Sequence, residues 1–130
     1  MMEEDFPHKE LTAKILEAAF EVHNTLGAGF LEKVYENAIA IEFESDASPS
    51  ASKTPIQVQY KGDAVGEYTA DFVVEDSVVL ELKAVQAIDS THEAQLLNYL
   101  RATGLKVGLV LNFARPRVEY KRMVLTPKRE

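Results

Sequence analysis

The stretch Ser77-Val78-Val79-Leu80-Glu81-Leu82-Lys83-Ala84 leaves this chain the fewest choices. Apart from Glu81 and Lys83, its residues are nearly all apolar and β-prone, so it reads as one strand. Successive side chains of a strand point to opposite faces. Glu81 and Lys83 therefore project together, while Val78, Leu80, Leu82 and Ala84 project the other way. A carboxylate and an ammonium in so apolar a strand are costly to bury unless paired or used. The rest of the chain is then the scaffold that supplies their partners.

The flanking patterns define that scaffold. Leu11, Ile15, Ala18, Ala19, Val22 and Leu26 recur at helical steps, which predicts a helix over about 9–25 that Gly27-Ala28-Gly29 breaks. A second helix is expected from near Phe30 to about Phe43, with Leu31, Val34, Tyr35, Ala38 and Ile41 or Ile39 on its apolar face. Residues 44–55 are rich in Ser, Pro and Asp without periodicity, and are expected to form a mobile loop rather than a domain linker. Ile56–Tyr60 alternates as a half-exposed strand, and Lys61-Gly62-Asp63 turns it. Gly66–Val74 reads as the next strand, with Tyr68, Ala70, Phe72 and Val74 on one face. Glu75-Asp76 turns into the strand described first, completing an antiparallel meander. Ser90 followed by Glu93 is a capping-box pattern that opens a helix to about Ala102, with Gly104 as its C-cap. Val107–Leu111 is an unbroken apolar run, as in a strand covered on both faces, and Val118–Leu125 reads as an edge strand. The order is α-α-β-β-β-α-β-β, an α/β chain with a mixed sheet flanked by helices.

At 130 residues this is expected to be one domain, residues 1–130. The absence of cysteine excludes disulfides and thiolate chemistry and fits a cytoplasmic location. The acidic start, Met1-Met2-Glu3-Glu4-Asp5, does not resemble a signal peptide, and no apolar run is long enough for a membrane span. The net charge of −7 is unevenly placed. Residues 1–100 carry 6 Lys/Arg against 19 Asp/Glu, net −13, and residues 101–130 carry 8 against 2, net +6. The basic C-terminal part is either a nucleic-acid footprint or a solvated face balancing the acidic part.

Asp71 is the one acidic residue inside the apolar core of its strand. The turn at Glu75-Asp76 can set it beside Glu81 across the ladder. Two converging carboxylates suit Mg²⁺ or Mn²⁺, which take oxygen ligands and keep several waters. Lys83 beside them could orient an attacking water and stabilise charge on a phosphate. His8 and His23 lack partners at ligand spacing, which argues against a histidine-based zinc site, and His92 reads best as a surface residue.

Asp71 followed by Glu81-Leu82-Lys83 resembles the D…ExK signature of the PD-(D/E)XK nucleases. Gly29-Phe30-Leu31-Glu32-Lys33-Val34-Tyr35 is similar to the signature of the GxxExxY family within that superfamily. Glu67–Asp71, Glu81–Ala84, Ala94–Leu100 and Leu111–Phe113 resemble it as well, in order, across about residues 10–125. The resemblance implies a restriction-endonuclease-like core. It also implies that Asp71 and Glu81 are the main metal ligands, that Glu32 completes the metal site, that the Leu82 carbonyl is a further ligand, and that Lys83 is the catalytic lysine. Gln95 and Tyr99 match the family's Q…Y pattern and share a helix face. Tyr35 and Tyr99 are either substrate contacts or core aromatics. Two stretches depart from the family pattern: the Ser/Pro-rich segment 44–55, and Ala114 where a glycine is usual.

The functional expectation is a Mg²⁺- or Mn²⁺-dependent nuclease acting on phosphodiester bonds, with DNA as partner. The alternative is a nuclease-fold module that no longer cuts and instead binds nucleic acid or a protein, a second copy of the chain included.

Overall fold

The computed structural model describes residues 7–46 and 50–126. Its elements are α1 (Lys9–Leu26), α2 (Glu32–Ser45), β1 (Ser50–Tyr60), β2 (Asp63–Val74), β3 (Val78–Lys83), α3 (Ser90–Thr103), β4 (Val107–Asn112) and β5 (Glu119–Val124). The strands form a single mixed sheet in the order β1-β2-β3-β4-β5, flanked by the three helices, which is the restriction-endonuclease-like α/β arrangement. Only β3 and β4 are parallel, because α3 carries the chain across the sheet between them. Among the described residues no helix is long and apolar enough to cross a membrane.

Each face of the sheet has its own core. Ile15, Ala19 and Val22 of α1 and Tyr35, Ile39 and Phe43 of α2 pack on Phe72, Val74, Leu80, Leu82, Leu109 and Leu111. On the other face Leu96, Tyr99 and Leu100 of α3 pack on Ala70, Val73, Val79 and Val110. Every residue of β4 is buried, as its apolar run predicts. Gly108 lets α3 approach closely: a Cβ there would stand 2.7 Å from Leu96 Cδ1.

Several boundaries differ from the sequence reading. Helix α2 starts at Glu32, because Phe30 and Leu31 belong to a turn that Tyr35 holds. Its buried face uses Ile39, leaving Ile41 exposed. Of the expected loop 44–55, Glu44 and Ser45 close α2 and Ser50–Pro55 begin β1; residues 47–49 lie outside the described residues. The first part of β1 forms despite its composition because Phe72–Val74 of β2 offer unpaired main-chain groups that Ser50–Ser52 satisfy. The cap of α3 is Asp89 rather than Ser90. Its carboxylate accepts the N–H groups of Thr91 and His92, and the His92 ring accepts the Asp89 N–H. An aspartate oxygen serves two orphan N–H groups at once, which gives position 89 the advantage.

The faces of β2 also need correction. Phe72 and Val74 join the core under α1 and α2, but Ala70 packs with Val73 on the α3 side, and Tyr68 meets Tyr99 there. The two-residue period thus breaks at Asp71. The β1–β2 ladder pairs Ser52 with Phe72 and Thr54 with Ala70 but omits the pair between them, Lys53 opposite Asp71. Lys53 has φ 52°, the left-handed region, so the strand leaves extended geometry there while its register is kept on either side.

Candidate active site

Pairing of β2 with β3 runs Val74–Val78, Val73–Val79, Phe72–Leu80 and then stops. The next pair in that register is Asp71 opposite Glu81, the juxtaposition that the tight turn implied. Side chains take over from the ladder at that point. The Asp71 N–H donates to Glu81 Oε2 at 2.9 Å, and the Leu82 N–H donates to Asp71 Oδ2 at 2.8 Å. Each carboxylate is thereby fixed through one oxygen by a main-chain donor, leaving its other oxygen for chemistry.

Both carboxylates are buried, Asp71 at 8% and Glu81 at 5% exposure. Burial above all, and then the charge of Asp71, pushes the Glu81 carboxyl up to about 7, against the opposing pull of the Asp71 N–H and Lys83. Two carboxylates side by side in low dielectric call for a cation, whether a proton, an ammonium or a metal.

The surrounding elements bring further groups. Lys83, at the end of β3, donates to Gln95 Oε1 of α3 at 3.3 Å. Tyr99, one turn further along α3, is buried against the same centre. Burial, then Glu81 and Asp71, raise its phenol, so it stays protonated. Glu32, on the first turn of α2, is exposed as a residue, but partial shielding of its carboxyl and then Asp71 push its pKa up, with Lys83 pulling the other way. Asp71, Glu81, Lys83, Glu32, Gln95 and Tyr99 thus belong to one centre. Tyr35 is placed elsewhere. It is fully buried, stacks on Phe113 at 4.7 Å, donates to Gly27 O at 2.6 Å and accepts from Phe30 N–H at 3.1 Å. These contacts hold the α1–α2 turn.

Two residues at this centre escaped the sequence reading. Glu36 is one helical turn beyond Glu32 and is buried. Its carboxylate meets Lys53 Nζ at 2.6 Å and Lys33 Nζ at 3.2 Å. Burial opposes its charge, but the bonds from Lys53 and Lys33 win and hold it below the usual range. Lys53 Nζ also stands 3.6 Å from Asp71 Oδ1. The i, i+4 spacing from Glu32 was a usable signal for Glu36. Lys53 had none, lying in a segment without periodicity.

Among the described residues, no three His, Asp or Glu side chains are gathered as a metal cage. The donor set still fits a hard divalent ion. Mg²⁺ is commonly held by one or two carboxylates, with waters and substrate phosphate completing its shell. Asp71 Oδ1 and the second oxygen of Glu81 are of that kind.

The sequence matches the family described as the PD-(D/E)XK nuclease superfamily over residues 9–123. The chain belongs to the PD-(D/E)XK nuclease superfamily. The match includes Asp71, Glu81 and Lys83. No curated protein matches the chain in sequence. Among solved structures, the crystal structure of SSO0001 is similar with a TM-score of 0.57 and 14% identity, over 74% of this chain and 50% of that one. An alkaline exonuclease from Laribacter hongkongensis, LHK-Exo, aligns with a TM-score of 0.48 and 12% identity, over 71% and 55%. This PD-(D/E)XK chain therefore spans about half the length of those structures, and the likeness to SSO0001 concerns the fold.

Proposed function

We propose that the chain is a GxxExxY-type nuclease that hydrolyses phosphodiester bonds, with DNA as substrate and Mg²⁺ or Mn²⁺ as cofactor. The observation that carries this reading is the reciprocal lock between Asp71 and Glu81, with Lys83 beside it on Gln95. Asp71 and Glu81 would hold the ion, with Glu32 and the Leu82 carbonyl as further donors. When bound, the ion supplies an acidified water and neutralises phosphate charge.

The chain's own groups complete the chemistry. Lys83 orients the attacking water and faces the charge that gathers on the phosphate oxygens. Gln95 fixes the Lys83 ammonium, and Tyr99, kept protonated, offers a hydroxyl donor beside the carboxylates. The water oxygen forms the new bond to phosphorus, one ester P–O bond breaks, and the departing oxygen takes up a proton. Arg101, Lys106, Arg115, Arg117 and Lys121 are exposed and available to the phosphate backbone.

The test incubates the protein with linear, nicked and single-stranded DNA and with RNA, in Mg²⁺ or Mn²⁺, beside Glu81→Gln and Lys83→Met. Cleavage by the wild type, lowered at least about 100-fold in both variants, is the expected result. No cleavage of any substrate, or equal cleavage by the variants, overturns the reading. Retained DNA binding without cleavage would favour the module that no longer cuts, for which Lys53 already seated at Asp71 is the supporting observation.

A further inference from the structure

Lys53 and Glu36 form a second charged pair against the carboxylates, with Lys53 half exposed and Glu36 buried. Glu36 is buried and has two lysine partners, Lys33 from its own helix and Lys53 from β1. Lys53 is the residue at which β1 leaves extended geometry. It adopts φ 52°, with strain that a lysine accepts only where neighbours hold it. It also faces Asp71 at a position the β1–β2 ladder skips. Its ammonium lies 2.6 Å from Glu36 Oε2 and 3.6 Å from Asp71 Oδ1. Asp71 Oδ1 is the oxygen left over once Oδ2 has taken the Leu82 N–H, so it is the oxygen a divalent ion would need.

We propose that Lys53 is the counter-ion of Asp71 in the metal-free protein and competes with the divalent ion for Oδ1. Glu36 is a positioning residue that draws Lys53 off Asp71 and thereby sets the affinity of the metal site. This rests on the metal-site reading above and adds to it the residues that tune the site. An ammonium and a divalent cation on one carboxylate oxygen repel each other, so binding of the ion ends the 3.6 Å approach of Lys53 to Asp71 and leaves Lys53 to Glu36 alone. The buried carboxylate, closer and already preferred, keeps it. The two residues therefore act in opposite directions, since Lys53 weakens metal binding and Glu36 strengthens it by holding Lys53.

Calorimetric titration of the metal-free full chain with Mn²⁺ tests this, using wild type, Lys53→Met, Glu36→Gln and the double variant, each first checked for folding by circular dichroism. Lys53→Met is expected to bind Mn²⁺ about tenfold more tightly, the size of effect a nearby opposite charge exerts on a carboxylate. Glu36→Gln is expected to bind several-fold more weakly, because Lys53 then rests on Asp71 alone. In the double variant the Glu36→Gln loss should vanish, leaving the affinity of Lys53→Met. A merely structural pair would give losses in both single variants, or no change, and either outcome overturns the proposal. So does a Glu36→Gln loss that persists without Lys53. If the wild type itself takes up no Mn²⁺, the metal-site reading falls and this inference with it. If the wild type binds and Lys53→Met binds no more tightly, only this inference falls.

Discussion

The two halves of strand β2 obey different rules. Phe72–Val74 pair with β1 on one edge and β3 on the other, and both faces are buried. Asp63–Thr69 pair with β1 alone, and every residue there is exposed. The first half is held by packing against two cores, the second by its hydrogen-bonded ladder. Asp71 sits at the changeover. From the covered side Glu81 and Asp71 receive the low dielectric that raises the Glu81 carboxyl, and from the open side comes access. A site needs both, and this sheet provides them where β2 and β3 stop pairing.

Stability measurements can break or sharpen that contrast. The largest effect is expected in the covered half. Leu80 is fully buried opposite Phe72, so Leu80→Ala should cost about 3–4 kcal/mol in urea denaturation. Tyr68→Ala, on the open half, should cost about 1 kcal/mol or less. Equal losses would erase the distinction.

The next effect concerns the boundary. The Glu81 pKa is about 7 when folded and near 4.5 when unfolded, so the folded state holds the extra proton between these values. The stability it contributes is full below about pH 4.5 and is lost as pH rises through 7. The change, about 3 kcal/mol for a group this buried, should appear in the metal-free protein between about pH 4.5 and 7. Glu81→Gln should flatten that dependence, and a slope unchanged by the substitution would locate it elsewhere.

A smaller loss is expected where β4 ends. Asn112 is fully buried. It accepts the N–H groups of Val85 and Ala114 and donates to Val85 O and Glu119 Oε1, pinning the loop between β3 and α3. Asn112→Ala should cost about 2 kcal/mol, because main-chain groups lose their partners. Least of all, Asp89→Ala should cost about 1 kcal/mol by removing the cap of α3 from an exposed position. If thermal melts rank these two the other way, solvent exposure does not govern the cost of losing such bonds here.

The element order and the opposition of Asp71 to Glu81 could be read from the sequence because both depend on short-range rules. A tight turn at Glu75-Asp76 fixes a register, and an apolar run flanked by breakers fixes a strand. The faces of β2 beyond Asp71 could not, since Lys53, where β1 leaves extended geometry, meets carboxylates brought from β2 and α2. Tyr35 carried a family signature, but its sequence position does not show whether its hydroxyl meets a substrate or a turn carbonyl. Asp89 and Ser90 both suit an N-cap, and the two N–H groups that one Asp89 oxygen accepts decided between them. Lys53 and Glu36 meet through folding alone, across a segment whose composition suggests no structure.

The crossed bonds at Asp71 and Glu81 bear on how descent should be read in this superfamily. The same carboxylates that would hold a metal through one oxygen stand in, through the other, for missing sheet hydrogen bonds. A lineage that stopped cutting would still be held to oxygen-bearing side chains at both positions, or the sheet would open there. Retention of the acidic pair thus records an architectural debt as well as a chemical one. The freer positions, Lys83 and Gln95, are where loss of activity would first leave its mark.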